Sequence, residues 1–176
     1  MRARNFKWVF QDQLEYEGTP SLRSNCACVM RAVVVVRHMS TLLFRLSQLA
    51  GRRSSLTAHA LKQVNHVLTG ADIAWQAQVA PGLVLHHPTG VVVGAEVRVG
   101  PRCRIQQGVT LGGSGGTDDG SPEIGSSVVL GAGSRVLGRL TVGDDVVVGA
   151  NAVVLTSIPA HSIAVGVPAT ARKKNS

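Results

Sequence analysis

One periodicity constrains this chain more than any other feature. Aliphatic side chains recur every six residues at Ile73, Val79 and Leu85. After a slip of two residues they resume at Val93, Val99, Ile105 and Leu111, and after a longer break at Ile124, Leu130, Val136, Val142, Val148 and Val154. The next position is usually small, as at Gly94, Gly100, Gly112, Gly125, Gly131, Gly143 and Gly149. Four residues after the aliphatic come compact side chains such as Ala77, Thr89, Val97, Cys103, Val109, Val128, Ser134, Val146 and Ala152. A six-residue unit makes one short strand and one turn, and three units make a triangular coil. A single coil cannot bury its apolar face, whereas stacked coils form a continuous aliphatic column. The pattern predicts a mainly β chain, a parallel β-helix of hexapeptide repeats. A β-sandwich of short Val-rich strands is the competing fold, but its strands do not recur at an invariant six residues. Aromatic residues are only 3% of the chain, which suits a narrow prism interior.

The region before the repeat has a different character. Residues 1–70 carry ten Lys/Arg against three Asp/Glu, while residues 71–176 carry eight against seven, so the net charge of +8 belongs to the N-terminal part. Apolar residues at Ala32, Val36, Met39, Leu43, Leu46 and Ala50 predict a helix over 29–50 that packs through this stripe and stops at Gly51. A second helix is expected from Ser54/Ser55 through Leu61, Val64 and Leu68 to Gly70. The chain thus divides into a helical segment (1–70), the repeat domain (71–170) and a basic tail (171–176). The basic helices leave peripheral membrane contact open. No run is long enough to span a bilayer. With almost no aromatics for base stacking and no recognition motif, nucleic acid is not an expected partner. Cys26, Cys28 and Cys103 form no closed disulfide set, which points to a reducing, cytoplasmic setting.

Interruptions of a solenoid commonly mark its binding face. Two occur here: the slip at Leu85-His86-His87-Pro88-Thr89-Gly90, and the Gly-, Ser- and Asp-rich stretch from Gly112 to Glu123, expected as an external loop. Taken with QQGVTLGG, IGSSVVLGAGSRVLG, VGDDVVVGANAVVL and VGVPA, the segment LHHPTGVVVG resembles the serine acetyltransferase branch of the hexapeptide-repeat acyltransferases over about residues 70–170. The short N-terminal part resembles members found with exopolysaccharide biosynthesis. The resemblance implies a left-handed β-helix, a homotrimer or dimer of trimers with active sites between subunits, and acetyl-CoA as co-substrate with no metal.

It also places the catalytic histidine at His87 and its orienting carboxylate at Asp72. The fifteen residues between them are close to one coil, so both side chains can reach one corner of the prism. Imidazole suits a general base near neutral pH, and a carboxylate on its other ring nitrogen fixes the tautomer. By the same resemblance the pantetheine arm meets Gly112, Gly113, Ser114, Ala132 and Ala150. Gly166, Pro168 and Ala169 lie near the nucleotide end, and Arg135, Arg172, Lys173 and Lys174 are candidate phosphate contacts. Backbone N–H groups at Gly112-Gly113 are candidate oxyanion donors. His86 and Ser121 stand where the family meets its acceptor, and there the chain departs. It has Gly120-Ser121 in place of an Arg-His pair, Glu123 in place of Lys, and His86 in place of Asp. These departures favour a sugar hydroxyl over L-serine, with serine the alternative acceptor. Two rivals complete the set: a zinc enzyme of the γ-carbonic-anhydrase type, for which only His161 joins His86 and His87, and a scaffold that has lost catalysis.

Overall fold

The computed structural model describes residues 8, 11, 12, 35–115 and 120–174. Two helices, α1 (Val36–Ala50) and α2 (Ser55–Thr69), precede a prism with three sheet faces. Sheet A stacks β1 (Asp72–Ile73), β4 (Val92–Val93), β7 (Thr110–Gly112), β10 (Arg135–Leu137) and β13 (Val153–Val154). Sheet B holds β2 (Gln78–Val79), β5 (Arg98–Val99), β8 (Glu123–Ile124) and β11 (Thr141–Val142). Sheet C holds β3 (Val84–Leu85), β6 (Arg104–Ile105), β9 (Val129–Leu130), β12 (Val147–Val148), β14 (Ser162–Gly166) and β15 (Ala169–Lys173). Every pairing is parallel except the closing β14–β15 hairpin. That hairpin includes residues 171–173, so the boundary expected at 170 falls inside a strand.

Register shows how the interruptions are absorbed. Val92 pairs with Thr110, the eighteen-residue step of a regular coil. Asp72 pairs with Val92, so the two extra residues swell the turn between β3 and β4. Arg98 pairs with Glu123, and the longer insertion leaves the prism between β7 and β8. Every aliphatic of the six-residue series is at most 4% exposed. Each such side chain contributes about 1.5–3 kcal/mol by leaving water. Val97, Cys103, Val109, Val128 and Val146 fill the second interior row. Thr89 does not: the swollen turn turns it outward, and Val91 takes its place inside.

The helices bury different faces from those expected. On α1 the buried residues are His38, Ser40, Thr41, Phe44, Arg45 and Ser47, while Val36 is exposed. On α2 they are Ala58, Asn65 and Thr69, with Val64 and Leu68 exposed. The part of the first helix expected before residue 35 lies outside the described residues. Termini follow expectation: the Ser54 hydroxyl accepts from the Thr57 N–H, and Gly70 closes α2 in the left-handed region. Gly51 ends α1 for a packing reason, since a Cβ there would strike the Trp75 ring. Neither helix is long and apolar enough to cross a membrane.

The inversion of α1 follows from the open end of the prism. The first coil has no coil beneath it, so its edge carbonyls lack ladder partners. Arg45 donates through Nη1 to Val79 O (2.7 Å) and through Nη2 to Ala80 O (2.9 Å), and Gln48 Nε2 donates to Ala77 O (2.9 Å). The remaining Arg45 donors meet Gln48 Oε1 (3.0 Å) and both oxygens of Asp12 (2.9 and 3.3 Å), so all five N–H groups are used. Asp12 also accepts from Gly82 N (2.7 Å) and Leu83 N (3.0 Å). Both ions are fully buried, and Trp8 and Phe44 each lie 5.2 Å from the guanidinium carbon.

Candidate active site

His87 lies in the swollen turn at the corner between sheets C and A. The backbone on either side is fixed: His86 N–H donates to Ile105 O (3.0 Å), Val91 N–H to Pro88 O (3.1 Å), and Gly90 N–H to Gly70 O (2.9 Å). Pro88 is buried and His87 is exposed, so the imidazole is presented from an anchored turn. Asp72 begins β1 two residues after Gly70, on the same corner one coil below. Its Oδ1 is held by Lys62 Nζ of α2 at 2.5 Å. No hydrogen bond joins Asp72 to His87 among the described residues.

The corner above His87 is unusually bare. Four stacked residues adopt the left-handed backbone region there: Gly90, Gly108, Gly133 and Asn151. A Cβ on Gly90 would lie 3.5 Å from Gly108 Cα, and one on Gly108 would lie 3.5 Å from Gly133 Cα, so the three stack directly. The B–C corner has the same backbone column, yet above Gly82 it carries Arg102, Ser127, Asp145 and His161. Dihedral angle alone therefore does not demand glycine at the C–A corner. At Gly133 packing does, since a Cβ there would strike the Asn151 side-chain amide, whereas Cβ atoms on Gly90 and Gly108 would meet only ordinary contacts. Ala132 and Ala150 sit beside this column. The Ala132 N–H already donates to Gln106 Oε1 (3.0 Å) and its carbonyl accepts from Asn151 N–H (2.8 Å), whereas Ala150 is exposed.

The other expected site residues fall elsewhere on the chain. Gly112, Gly113 and Ser114 start the external loop at the A–B corner, and Gly120 and Ser121 end it there. Gly120, Ser121, Gln76, Glu96, Glu123 and Arg139 line a cavity of about 510 Å³ on that corner. A Cβ on Gly120 would collide with the Arg139 side chain. One chain thus separates Ser121 and the Gly112–Ser114 segment from His87, Ala132 and Ala150. Gly166 and Ala169 pair across the closing hairpin, whose turn contains a cis Val167–Pro168 bond. Arg172 and Lys173 are exposed on β15. Lys174 is tied to Asp145 (2.8 Å), which His161 also contacts (3.3 Å). These partners hold the Asp145 carboxyl below its ordinary range. Exposed Arg135 points a guanidinium N–H at Gly133 O (3.3 Å).

His86 is half-buried, and its imidazole is pushed below its ordinary value by burial first, then by the charges of Arg104, Arg37 and His87. Arg104 stands next to Val84 in the β3–β6 pairing, one rung over and two residues before the level of His86. Sequence reasoning missed Lys62, Arg37 and Arg104, because no motif announces a contact between a helix and a distant rung. Cys103 is buried with its thiol donating to Gly125 O (3.1 Å), and burial pushes it up to about 11. Peptide mapping after iodoacetamide treatment at pH 7.5 is expected to show Cys103 unlabelled in the folded protein and labelled after denaturation. His161 belongs to the B–C column, remote from His86 and His87 on the C–A corner.

Rungs of this length and stacking place the chain among the hexapeptide-repeat transferases. Residues 121–156 match the family described as "Bacterial transferase hexapeptide (six repeats)". The serine acetyltransferase of Helicobacter pylori is 43% identical over 130 residues, covering 73% of this chain and 76% of that protein. The serine acetyltransferase of Staphylococcus xylosus is 39% identical over 123 residues, 69% of this chain but only 56% of that longer protein. Soybean serine acetyltransferase complexed with serine superposes with a TM-score of 0.83 at 31% identity, over 96% of this chain and 69% of that one. The coenzyme A complex from Brucella abortus strain S19 gives 0.84 at 29%, over 97% and 68%. The chain belongs to the serine acetyltransferase family of acyltransferases. The exopolysaccharide branch expected from the short N-terminal part finds no support in these relatives, which are named for serine.

Proposed function

We propose that the chain transfers acetyl from acetyl-CoA directly to an acceptor hydroxyl, with His87 as general base. The observation that carries this reading is the bare glycine column rising from the His87 turn. Gly90, Gly108 and Gly133 offer an extended thioester arm backbone with no side chains of their own, between the Asn151 amide at one end and an anchored imidazole at the other. His87 takes the hydroxyl proton as the oxygen attacks the thioester carbonyl, and Asp72, steadied by Lys62, accepts the other ring N–H. Coenzyme A leaves as the thiol. The Gly112–Ser114 segment lies on a different corner from His87, so this reading needs a neighbouring protomer to bring oxyanion donors across. A left-handed homotrimer supplies that arrangement. Outward-facing Val92 and Val153 on sheet A, beside Thr110 and Arg135, and Val129, Val147 and Ile163 on sheet C, beside Arg104, give the two faces flanking His87 more apolar surface than sheet B, which presents Gln78, Arg98 and Glu123.

L-Serine is the first acceptor reading, because the relatives are named for it. A sugar hydroxyl of an exopolysaccharide precursor is the second. It is favoured by Gly120 and Ser121, which offer no cation, and by Glu123, which is paired with Arg98 at 2.8 Å. Thiol release from acetyl-CoA, measured across L-serine and a panel of sugars with mass analysis of the products, decides between them. Thiol release with no acceptor dependence would reject both.

The column makes its own prediction. Gly108→Ala is expected to raise the Kd for coenzyme A at least tenfold, while the left-handed backbone strain costs only about 1–2 kcal/mol of stability. Ser127→Ala on the B–C corner serves as the control and leaves that Kd unchanged. Calorimetric titration checks both.

A further inference from the structure

We infer that Arg104 binds an anionic group of the acceptor, a carboxylate or phosphate, and so sets the substrate class of the His87 site. The inference rests on reading His87 as the base, and it concerns the charge around it. Arg104 projects from β6, which lies beside β3, and β3 leads directly into His86 and His87. Neighbouring strands are about 4.8 Å apart, so the Arg104 side chain starts one rung from Val84, two residues before His86. The Ile105 carbonyl next to Arg104 accepts the His86 N–H at 3.0 Å, which locks the two segments together.

The charge balance of this corner is one-sided. Arg104 is exposed and no carboxylate among the described residues pairs with it. Arg37 of α1 adds its field at His86. Asp72, the carboxylate on this corner, is held by Lys62. His86 itself offers no negative charge in either protonation state, and burial and the nearby cations lower its basicity. Among the described residues, the charges placed on this corner are therefore those of Arg104 and Arg37, beside the mutually neutralising Lys62–Asp72 pair. A substrate bearing an anionic group close to its reactive hydroxyl is attracted, and a neutral one gains nothing. L-Serine falls within this class through its carboxylate, as does a uronic acid.

Coenzyme A also carries anions, and its phosphates are the alternative source. The pantetheine arm separates them from the thioester by most of the length of the column. Arg104 lies at the thioester end, beside His86, so acceptor binding is the occupant argued here.

The test uses matched acceptors with the full chain: glycerate against glycerol, and methyl glucuronide against methyl glucoside. In the wild type the charged member of each pair is expected to show a kcat/KM at least about tenfold above its neutral twin. Arg104→Gln should abolish that gap by raising KM for the charged acceptor, leaving kcat for the neutral one and the Kd for coenzyme A unchanged. Arg104→Lys should restore part of it. Equal kcat/KM within each pair, a gap that survives Arg104→Gln, or a change confined to coenzyme A affinity would each overturn the inference. Should no acceptor be acetylated, the transfer reading itself fails. Equilibrium binding of methyl glucuronide and methyl glucoside to the coenzyme A-loaded protein then decides the charge inference by the same criterion. Arg104 is solvent-exposed on a short strand, and an unchanged melting temperature confirms that the variant folds.

Discussion

Replacing His87 by alanine should lower the rate of acetyl transfer about 10²- to 10⁴-fold, the range that a positioned general base commonly supplies. The melting temperature and the coenzyme A affinity should stay within error. The physical reason is the separation of two roles in one turn. Pro88 is buried and the flanking N–H groups of His86, Gly90 and Val91 hold the turn, while the His87 imidazole is exposed. Removing it deletes proton transfer without opening a cavity. Asp72→Asn in the same assay should reduce kcat by a smaller factor, because the base remains and only its tautomer and charge lose support. Steady-state thiol release with the best acceptor measures both. A His87→Ala enzyme within threefold of wild type would remove the imidazole from the mechanism.

The second large effect concerns stability. Arg45→Ala should destabilise the fold by about 3–5 kcal/mol, measured by denaturant unfolding, since it strands a buried carboxylate and unpairs the edge of the first coil. The mutation breaks five hydrogen bonds at once, to Asp12, Gln48, Val79 and Ala80. A double variant, Arg45→Met with Asp12→Leu, should recover a substantial part of the loss, because no buried charge is then left alone. If Arg45→Ala costs under 1 kcal/mol, the ion pair is not what closes the open end of the prism.

Arg45 also shows where sequence reading stopped. On a helical wheel it falls among the polar positions between Leu43 and Leu46, and an arginine there reads as solvent-facing. The structure buries it, because the demand it meets comes from the carbonyls of Val79 and Ala80, more than thirty residues away. The six-residue aliphatic series, by contrast, was legible position by position. Each rung repeats the same local requirement for an inward aliphatic, so the pattern accumulates along the chain. Both interruptions were legible as register breaks. Their consequences were not, since whether extra residues swell a turn or leave the prism depends on which strands pair.

At the candidate site the division is the same. His87 and Asp72 were visible through motif and spacing, and the structure sets them on one corner. Lys62 on Asp72, and Arg104 and Arg37 around His86, carry no sequence signature, because their proximity arises only when a helix packs against a coil or one rung stacks on another.

Amino-acid order alone therefore determined the repeating unit and the inward row, since each is set by neighbours within a few positions, and it singled out His87 and Asp72 as the candidates for proton chemistry. Tertiary structure alone decided which helix face is buried, which corner is bare, and what charge surrounds the imidazole. Those properties are sums over groups that only folding brings within a few ångströms of one another.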